Sequence, residues 1–204
     1  MNYREAYDAW KRDFAGDAAL QEELAGIAGD EKEIEDRFYT ELSFGTAGMR
    51  GVLGAGLNRM NIYNIRRATK GLADYINAME GAAARGVAIA YDSRRMSPEF
   101  AREAALVLAA NGVRAMLFPS LRPVPVLSFT VRELGAVAGI VITASHNPPQ
   151  YNGYKVYWED GAQVPPERAD EILKRIRQNT FQHSLPMDEM DAVEAGLLSY
   201  IDAK

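Results

Sequence analysis

The chain has 204 residues and a formal net charge of −5, and 48% of its residues are hydrophobic, as in an ordinary globular protein. It contains no cysteine, which excludes disulfides and thiolate metal sites. The acidic balance, without a basic cluster interleaved with aromatic residues, argues against nucleic-acid binding. No apolar run is long enough to cross a bilayer and the N-terminus lacks the apolar stretch of a signal peptide, so we expect a cytoplasmic protein without a membrane partner.

The first 40 residues are acidic, and their pattern predicts helices. Apolar residues recur there with the i, i+3, i+4 spacing of an amphipathic helix, at Tyr3, Ala6, Tyr7, Trp10 and Phe14. Shorter helical stretches at 22–24 and 31–38 are separated by Gly26 and Gly29. We therefore expect residues 1–40 to form a helical extension that packs against the rest of the protein.

From residue 41 onward, predicted helices and strands alternate. Helical patterns occupy 61–79, 97–110, 124–134 and 165–177, and short apolar strands occupy 86–91, 113–118, 136–142 and 154–158. We expect Ser97 to be the N-cap of the second of these helices. The alternation predicts an α/β fold, a three-layer α/β/α sandwich with a mainly parallel sheet. We expect a domain over 41–190 and the start of an onward linker at 191–204.

A polar loop, Thr143-Ala144-Ser145-His146-Asn147-Pro148-Pro149, directly follows the apolar strand at 136–142. It would lie at the carboxyl edge of the sheet, where ligands and chemistry collect in α/β proteins. The two prolines restrict the loop, so that fixing the serine hydroxyl costs less entropy. The same residue types also form ordinary turns. A hydrolase elbow of the form Gly-x-Ser-x-Gly is absent, and neighbouring extended residues point apart, which disfavours His146 as a base for Ser145.

Two further segments carry residues suited to anions. Gly45-Thr46-Ala47-Gly48-Met49-Arg50-Gly51 combines glycines, which let backbone N–H groups approach an anion, with an arginine that binds phosphate in bidentate fashion. Nucleotide-binding glycine patterns are absent. Asn152-Gly153 predicts a tight turn that returns Lys155 toward Ser145. Without the serine loop, a glycine-rich surface turn with a solvated arginine would be the preferred interpretation of the first segment. The alternative for Lys155 is an ordinary exposed lysine at the start of a strand.

Together and in this order, the three segments resemble those of the α-D-phosphohexomutases, the family of phosphoglucomutase and phosphomannomutase. The resemblance covers about residues 41–180 and only the first of the family's four domains. It implies a four-stranded mixed sheet with one antiparallel strand. It also implies that Ser145 is a phosphoserine and that Arg50 faces it. Asp92-Ser93-Arg94-Arg95 matches another family segment, which we expect to shape the cleft rather than to carry chemistry.

The remaining candidate site residues follow from the same resemblance. His146 either contacts phosphate and moves a sugar proton or braces the loop by hydrogen bonding, and both roles stay open. Thr46 and Asn147 are expected to bind phosphate. Lys155 is expected to bind phosphate and to act as a base, since a lysine, unlike an arginine, can lose its proton in a protein site.

The implied reaction interconverts hexose 1-phosphate and hexose 6-phosphate through the phosphoserine and a bound hexose 1,6-bisphosphate. The implied cofactor is Mg²⁺, bound through the phosphate on Ser145. The family's Asp-x-Asp-x-Asp-Arg metal loop, Gly-Glu-x-Ser-Gly sugar segment and Arg-x-Ser-Gly-Thr phosphate clamp do not occur in this sequence. We therefore expect the first domain of a longer mutase, inactive alone, with a phosphosugar and the other mutase domains as partners. The alternative is a standalone domain that binds a phosphosugar or a protein without catalysis.

Overall fold

The fold comes from a computed structural model that describes residues 2–45 and 48–201. The helices are α1 (Tyr3–Asp13), α2 (Ala18–Gly26), α3 (Glu31–Phe38), α4 (Ile62–Asn77), α5 (Ala82–Arg85), α6 (Ser97–Ala110), α7 (Val124–Glu133), α8 (Pro166–Gln178) and α9 (Glu189–Glu194). The strands are β1 (Phe44–Gly45), β2 (Gly48–Val52), β3 (Val87–Tyr91), β4 (Ala115–Leu117), β5 (Ala138–Ile142), β6 (Tyr151–Trp158) and β7 (Leu198–Tyr200). Within the described ranges, no helix has the length and apolar character needed to cross a membrane.

The strands form one mixed sheet in the order β1-β2-β6-β5-β3-β4-β7. The predicted α/β sandwich is confirmed, but the predicted count of four strands is wrong, because the described residues alone contribute seven strands to the sheet. Four strands, β6-β5-β3-β4, form the expected arrangement in which only β6 is antiparallel. On one edge, β2 pairs antiparallel with β6, and β1 pairs antiparallel with β2; on the other edge, β7 pairs parallel with β4. Among the described strands, three pairings are parallel and three are antiparallel, so the sheet as a whole is not mainly parallel.

Helices cover the two faces of the sheet unequally. On one face α4, α6 and α8 bury a large apolar cluster that includes Ile65, Leu72, Phe100 and Ile172. On the other face α7 contributes Leu127 and Val131, which pack over β3 and β5. Successive side chains of β3 point to opposite faces of the sheet, so its residues belong alternately to one cluster and to the other. This pattern is that of a strand buried on both sides. On its face of the sheet, α7 packs mainly over β3 and β5, and the candidate site lies over β2 and the part of β6 that pairs with it.

The N-terminal extension is helical, as predicted, and has its own apolar cluster. Tyr7, Trp10, Leu24, Ile34 and Phe38 are buried there. Tyr63 at the start of α4 joins this cluster, and its hydroxyl donates to Asp17 Oδ2 at 2.7 Å. Burial and this hydrogen bond raise the pKa of Tyr63. The Tyr63 ring, which packs on this cluster, and its hydrogen bond to Asp17 therefore attach the extension to the body.

Local predictions failed at Ser97 and at Asn152-Gly153, and residues 191–201 form regular structure. Ser97 was predicted as an N-cap, but the N-cap of α6 is Met96, and Ser97 is the first helical residue. Its buried hydroxyl donates to Asp92 Oδ1 at 2.8 Å, a tertiary contact rather than a cap. Asn152-Gly153 was predicted as a turn but lies inside β6. Residues 191–201, where a linker was expected to begin, complete α9 and form β7.

A substitution at Gly71 tests the packing of α4 against α8. A Cβ on Gly71 would lie 2.4 Å from Ile176 Cγ1 and 2.7 Å from the Ile176 backbone nitrogen. Gly71→Ala adds about 1 kcal/mol of helix propensity, but overpacking against backbone costs about 1–3 kcal/mol. We expect a net decrease in the free energy of unfolding, measured by urea denaturation.

Gly26→Ala in α2 is the matched control for this substitution. Beyond its own helix, no atom lies within 4 Å of the position that a Cβ on Gly26 would occupy, so we expect unchanged or higher stability. Equal stability of the two variants would contradict the close helix packing.

Candidate functional site

The serine loop leaves the carboxyl end of β5 and returns into the antiparallel β6. Thr143 extends the pairing by donating its N–H to Gly153 O at 3.0 Å. At Ser145 the chain turns into the left-handed region, with φ of 56°, and the residue is exposed. Its N–H donates to Thr143 Oγ1 at 3.0 Å, and Asn147 N–H donates to Ala144 O at 3.1 Å. A left-handed non-glycine residue costs about 1–2 kcal/mol, so the loop holds Ser145 in a strained conformation.

This turn places His146 closer to Ser145 than the sequence predicted. The two side chains were expected to point apart, but Ser145 Oγ lies 3.3 Å from His146 Nδ1. The expectation holds for extended residues and fails because Ser145 is left-handed. Within the described ranges no carboxylate hydrogen-bonds to the imidazole, and both residues are exposed. The pair therefore lacks the third group that orients a catalytic triad.

Arg50 and Lys155 lie on one face of the sheet through the register of β2 and β6. Gly48 pairs with Lys155 and Arg50 pairs with Gly153, so both cationic side chains point to the same side as diagonal neighbours. Arg50 Nη1 donates to Asn147 Oδ1 at 3.0 Å, which connects the glycine-rich segment directly to the serine loop. Lys155 also pairs with Val141, whose side chain packs on the α7 side of the sheet.

Both cations line a cavity of about 400 Å³. Its described lining comprises Ser43, Gly45, Gly48, Met49, Arg50, Lys155 and Gln163, with no carboxylate among them. The lining is therefore positively charged, which suits an anion. Ser145 and His146 are not part of this lining, and the link to their loop is Asn147. Thr46, the remaining predicted residue, lies outside the described residues.

Two glycines allow β2, β6 and β5 to approach closely at this point. A Cβ on Gly153 would lie 2.6 Å from Thr143 O, and one on Gly48 would lie 1.9 Å from Tyr154 O. The neighbouring Asn152 is fully buried, and its Nδ2 donates to Arg95 O and to Ser97 Oγ, each at 2.9 Å. The Asn-Gly pair therefore serves close packing and a buried polar network rather than a turn.

Arg94 binds the backbone of the serine loop, a contact that sequence reasoning missed. Its Nη1 donates to Pro148 O at 3.0 Å and to Tyr151 O at 3.1 Å. Its Nη2 donates to Ser145 O and to Asn147 O, both at 2.7 Å. The only indication in the sequence is that Asp92-Ser93-Arg94-Arg95 follows a strand, and nothing there reveals that the partners are backbone carbonyls.

A second, larger cavity of about 570 Å³ lies between the N-terminal extension and the start of α6. Its charged lining residues are Asp17, Glu23 and Arg95, so carboxylates outnumber cations. Both carboxylates already accept hydrogen bonds, from Tyr63 and Arg37 respectively. The charge of this cavity disfavours phosphate. Among residues 2–45 and 48–201, no three His, Cys, Asp or Glu side chains cluster in a way that could hold a metal ion.

The fold and the site together define an α/β/α domain with a strained serine loop beside a cationic cavity. Residues 41–183 match the family profile described as phosphoglucomutase/phosphomannomutase, alpha/beta/alpha domain I. The chain therefore belongs to the phosphoglucomutase/phosphomannomutase family. The resemblance predicted from three sequence segments is confirmed.

Individual relatives agree with this family. A phosphoglucomutase of Staphylococcus saprophyticus is 41% identical over 174 residues, which is 84% of this chain and 31% of that protein. A phosphopentomutase of Mus musculus is 38% identical over 177 residues, covering 83% of this chain and 28% of that protein. A solved structure assigned to a phosphomannomutase of Thermus thermophilus superposes with a TM-score of 0.67 at 28% identity, over 80% of this chain and 33% of that one. The chain thus spans about a third of the length of these relatives.

The strain at Ser145 is testable by comparing two substitutions. Glycine adopts the left-handed region freely, whereas alanine retains the Cβ that opposes it. We expect Ser145→Gly to be more stable than Ser145→Ala by about 1 kcal/mol in urea denaturation.

The control is the same pair of substitutions at Ser120, an exposed residue without a positive φ. There we expect the order to reverse, because glycine gains more entropy on unfolding. An alanine variant at 145 as stable as the glycine variant would contradict the left-handed turn.

Proposed function

We propose that this chain is the phosphoserine-bearing domain of a mutase that moves phosphate between the 1- and 6-positions of a hexose phosphate. The observation that carries the proposal is the placement of Ser145. Its hydroxyl is exposed on a strained loop at the carboxyl edge of the sheet. That loop is bound by Arg50, which shares a positively charged cavity with Lys155. Since the chain spans about a third of its relatives, the complete reaction is proposed for a longer polypeptide.

The charge of a phosphoserine determines which side chains the proposed reaction needs around it. A phosphoserine carries a charge of about −1.5 to −2 and needs opposing cations when a substrate excludes water. Arg50 supplies a planar fork that matches phosphate oxygens, and Lys155 supplies a mobile point charge. His146, 3.3 Å from Ser145 Oγ, either donates to the phosphate or braces the loop. Lining up the attacking hydroxyl and neutralising charge supply most of the acceleration in phosphoryl transfer.

The proposed reaction exchanges one phosphate ester for another. A free sugar hydroxyl attacks the phosphorus on Ser145, and the phosphorus–serine oxygen bond breaks. The sugar hydroxyl proton passes to a base, for which Lys155 and His146 are the candidates, and that base returns a proton to the released Ser145 oxygen, which restores the serine hydroxyl. The resulting hexose 1,6-bisphosphate reorients, and its other phosphate returns to Ser145. The relatives include a phosphoglucomutase and a phosphopentomutase. Of the two classes of sugar phosphate, we take hexose phosphate as the first substrate to test.

Magnesium is a separate part of the proposal. The described residues offer no cluster of carboxylates or histidines, so they do not by themselves form a metal site. Mg²⁺ would contact this chain only through the phosphate on Ser145, with its other ligands supplied from outside these 204 residues. We therefore propose that the chain alone does not turn over, and that its partners are a phosphosugar and further mutase domains. A cytoplasmic location stays a prediction.

Peptide mass spectrometry after incubation with glucose 1,6-bisphosphate tests the phosphoserine. We expect one phosphate on Ser145, none on the Ser145→Ala variant, and no conversion of glucose 1-phosphate to glucose 6-phosphate in a coupled assay. Phosphate on a different serine would overturn the assignment. Robust turnover would show that the catalytic groups lie within this chain. Tight binding of the bisphosphate without any transfer would favour the standalone binding domain.

Substitution of the two cations tests the cavity. Arg50→Lys preserves charge but loses the fork and the bond to Asn147, and Lys155→Met removes a charge. Losing one charge-assisted contact costs about 1.5–3 kcal/mol, so we expect affinity for inorganic phosphate, measured by NMR titration, to fall roughly tenfold to a hundredfold. Lys174→Met, at an exposed lysine on α8, is the control and should leave affinity unchanged. Wild-type affinity in both site variants would place the anion elsewhere.

A further inference from the structure

We propose that Arg94 is the positioning residue of the serine loop, holding Ser145 in its left-handed conformation by binding four backbone carbonyls of residues 145–151. This inference rests on the proposed function of Ser145. It assigns Arg94 no contact with the substrate. Its action passes through the loop backbone.

Four of the five N–H donors of the Arg94 guanidinium group are hydrogen-bonded within the protein. A guanidinium group has five N–H donors in a fixed plane. In Arg94, the two terminal nitrogens donate to the four carbonyls of Ser145, Asn147, Pro148 and Tyr151, at 2.7–3.1 Å. The remaining Nε lies 3.5 Å from Asp92 Oδ2. Four donors are thus hydrogen-bonded to the loop and the fifth lies beside a carboxylate, so the guanidinium group is directed at the protein rather than at a sugar phosphate.

The base from which Arg94 extends is rigid. Asp92 Oδ1 accepts the Arg94 backbone N–H at 3.0 Å and the Ser97 hydroxyl at 2.8 Å. Ser97 and Asn152 are fully buried and hydrogen-bonded to each other. The end of β3, the start of α6 and the start of β6 therefore meet in one polar network. The Arg94 side chain is only 15% exposed, so its position is set by this network rather than by solvent.

Arg94 also changes the charge distribution around the serine. A carbonyl oxygen carries a partial negative charge, and a loop that turned its carbonyls toward a phosphoserine would repel it. Arg94 draws the Ser145 and Asn147 carbonyls to its own side. The same contacts fix the peptide that follows Ser145 and so offset the cost of its positive φ. A lysine cannot replace this function, because one ammonium cannot donate to two separated pairs of carbonyls.

Hydrogen exchange measured by NMR tests the positioning directly. The reporters are the amides of Asn147 and Tyr151, which donate to Ala144 O and Pro148 O within the loop. We expect Arg94→Met and Arg94→Lys to accelerate exchange at these two amides on the order of tenfold or more, while amides of the central strands keep their protection. Arg95→Met, at the exposed neighbouring arginine, is the matched control and should leave loop exchange unchanged.

The rate of Ser145 phosphorylation by glucose 1,6-bisphosphate gives the functional measurement. Misplacing a reacting group by about 1 Å costs up to a hundredfold in rate, so Arg94→Lys should lower the maximal rate tenfold to a hundredfold. The half-saturating concentration should stay within about twofold of wild type, since Arg50 and Lys155 remain in place. A purely structural loss would instead lower overall stability and the exchange protection of the whole domain.

The two measurements separate this proposal from the proposed function. Accelerated loop exchange in the Arg94 variants of a chain that accepts phosphate on a serine other than Ser145 would support the role of Arg94 and refute the phosphoserine. Unchanged loop exchange in both Arg94 variants would overturn the positioning role, whether or not Ser145 is phosphorylated. If Arg94→Met fails to fold, Arg94→Lys carries the test, because it retains the charge beside Asp92. A raised half-saturating concentration with an unchanged maximal rate would assign Arg94 to substrate binding instead.

Discussion

Close backbone approach at Gly48 and Gly153 is the constraint on which the arrangement of the candidate site depends. A side chain at either position would collide with a carbonyl of the neighbouring strand. Because both positions are bare, β6 fits between β2 and β5, and Arg50 and Lys155 emerge on one face near the loop that joins β5 to β6. The cationic cavity, the bond from Arg50 to Asn147 and the return of the serine loop all follow from that insertion.

The parts of the fold that were predictable are those in which burial imposes a period. The periodic apolar residues of α4 and the apolar runs of β3 and β5 were recognisable in the sequence, because each element must bury one face or both. β2 was missed because its register is set by glycines, which carry no hydrophobic alternation. β7 was missed because three residues in a polar tail form a strand only where β4 offers an edge. Such elements depend on tertiary pairing, which local pattern does not contain.

At the site, the sequence indicated the chemistry of single residues better than their contacts. Arg50 and Lys155 were predicted from charge beside a serine loop, and the register explains how they reach one cavity. The proximity of His146 to Ser145 was mispredicted because one positive φ reverses the direction of a side chain. The partners of Arg94 are backbone carbonyls, and a carbonyl has no residue identity that a sequence could reveal. A polar network built on backbone atoms becomes visible only in three dimensions.

The aromatic contact between the N-terminal extension and the body has a consequence for cooperativity. Trp10 packs edge-on against Tyr63 and Phe181, which lie at the start of α4 and beyond the end of α8. Arg67 stacks over the Phe181 ring, 5.2 Å from its centre, on the side of the body. Detaching the extension would therefore expose aromatic surface on two separate segments of the body at once. The three N-terminal helices should melt together with the sheet as one unit, although they lie outside the segment that defines the family.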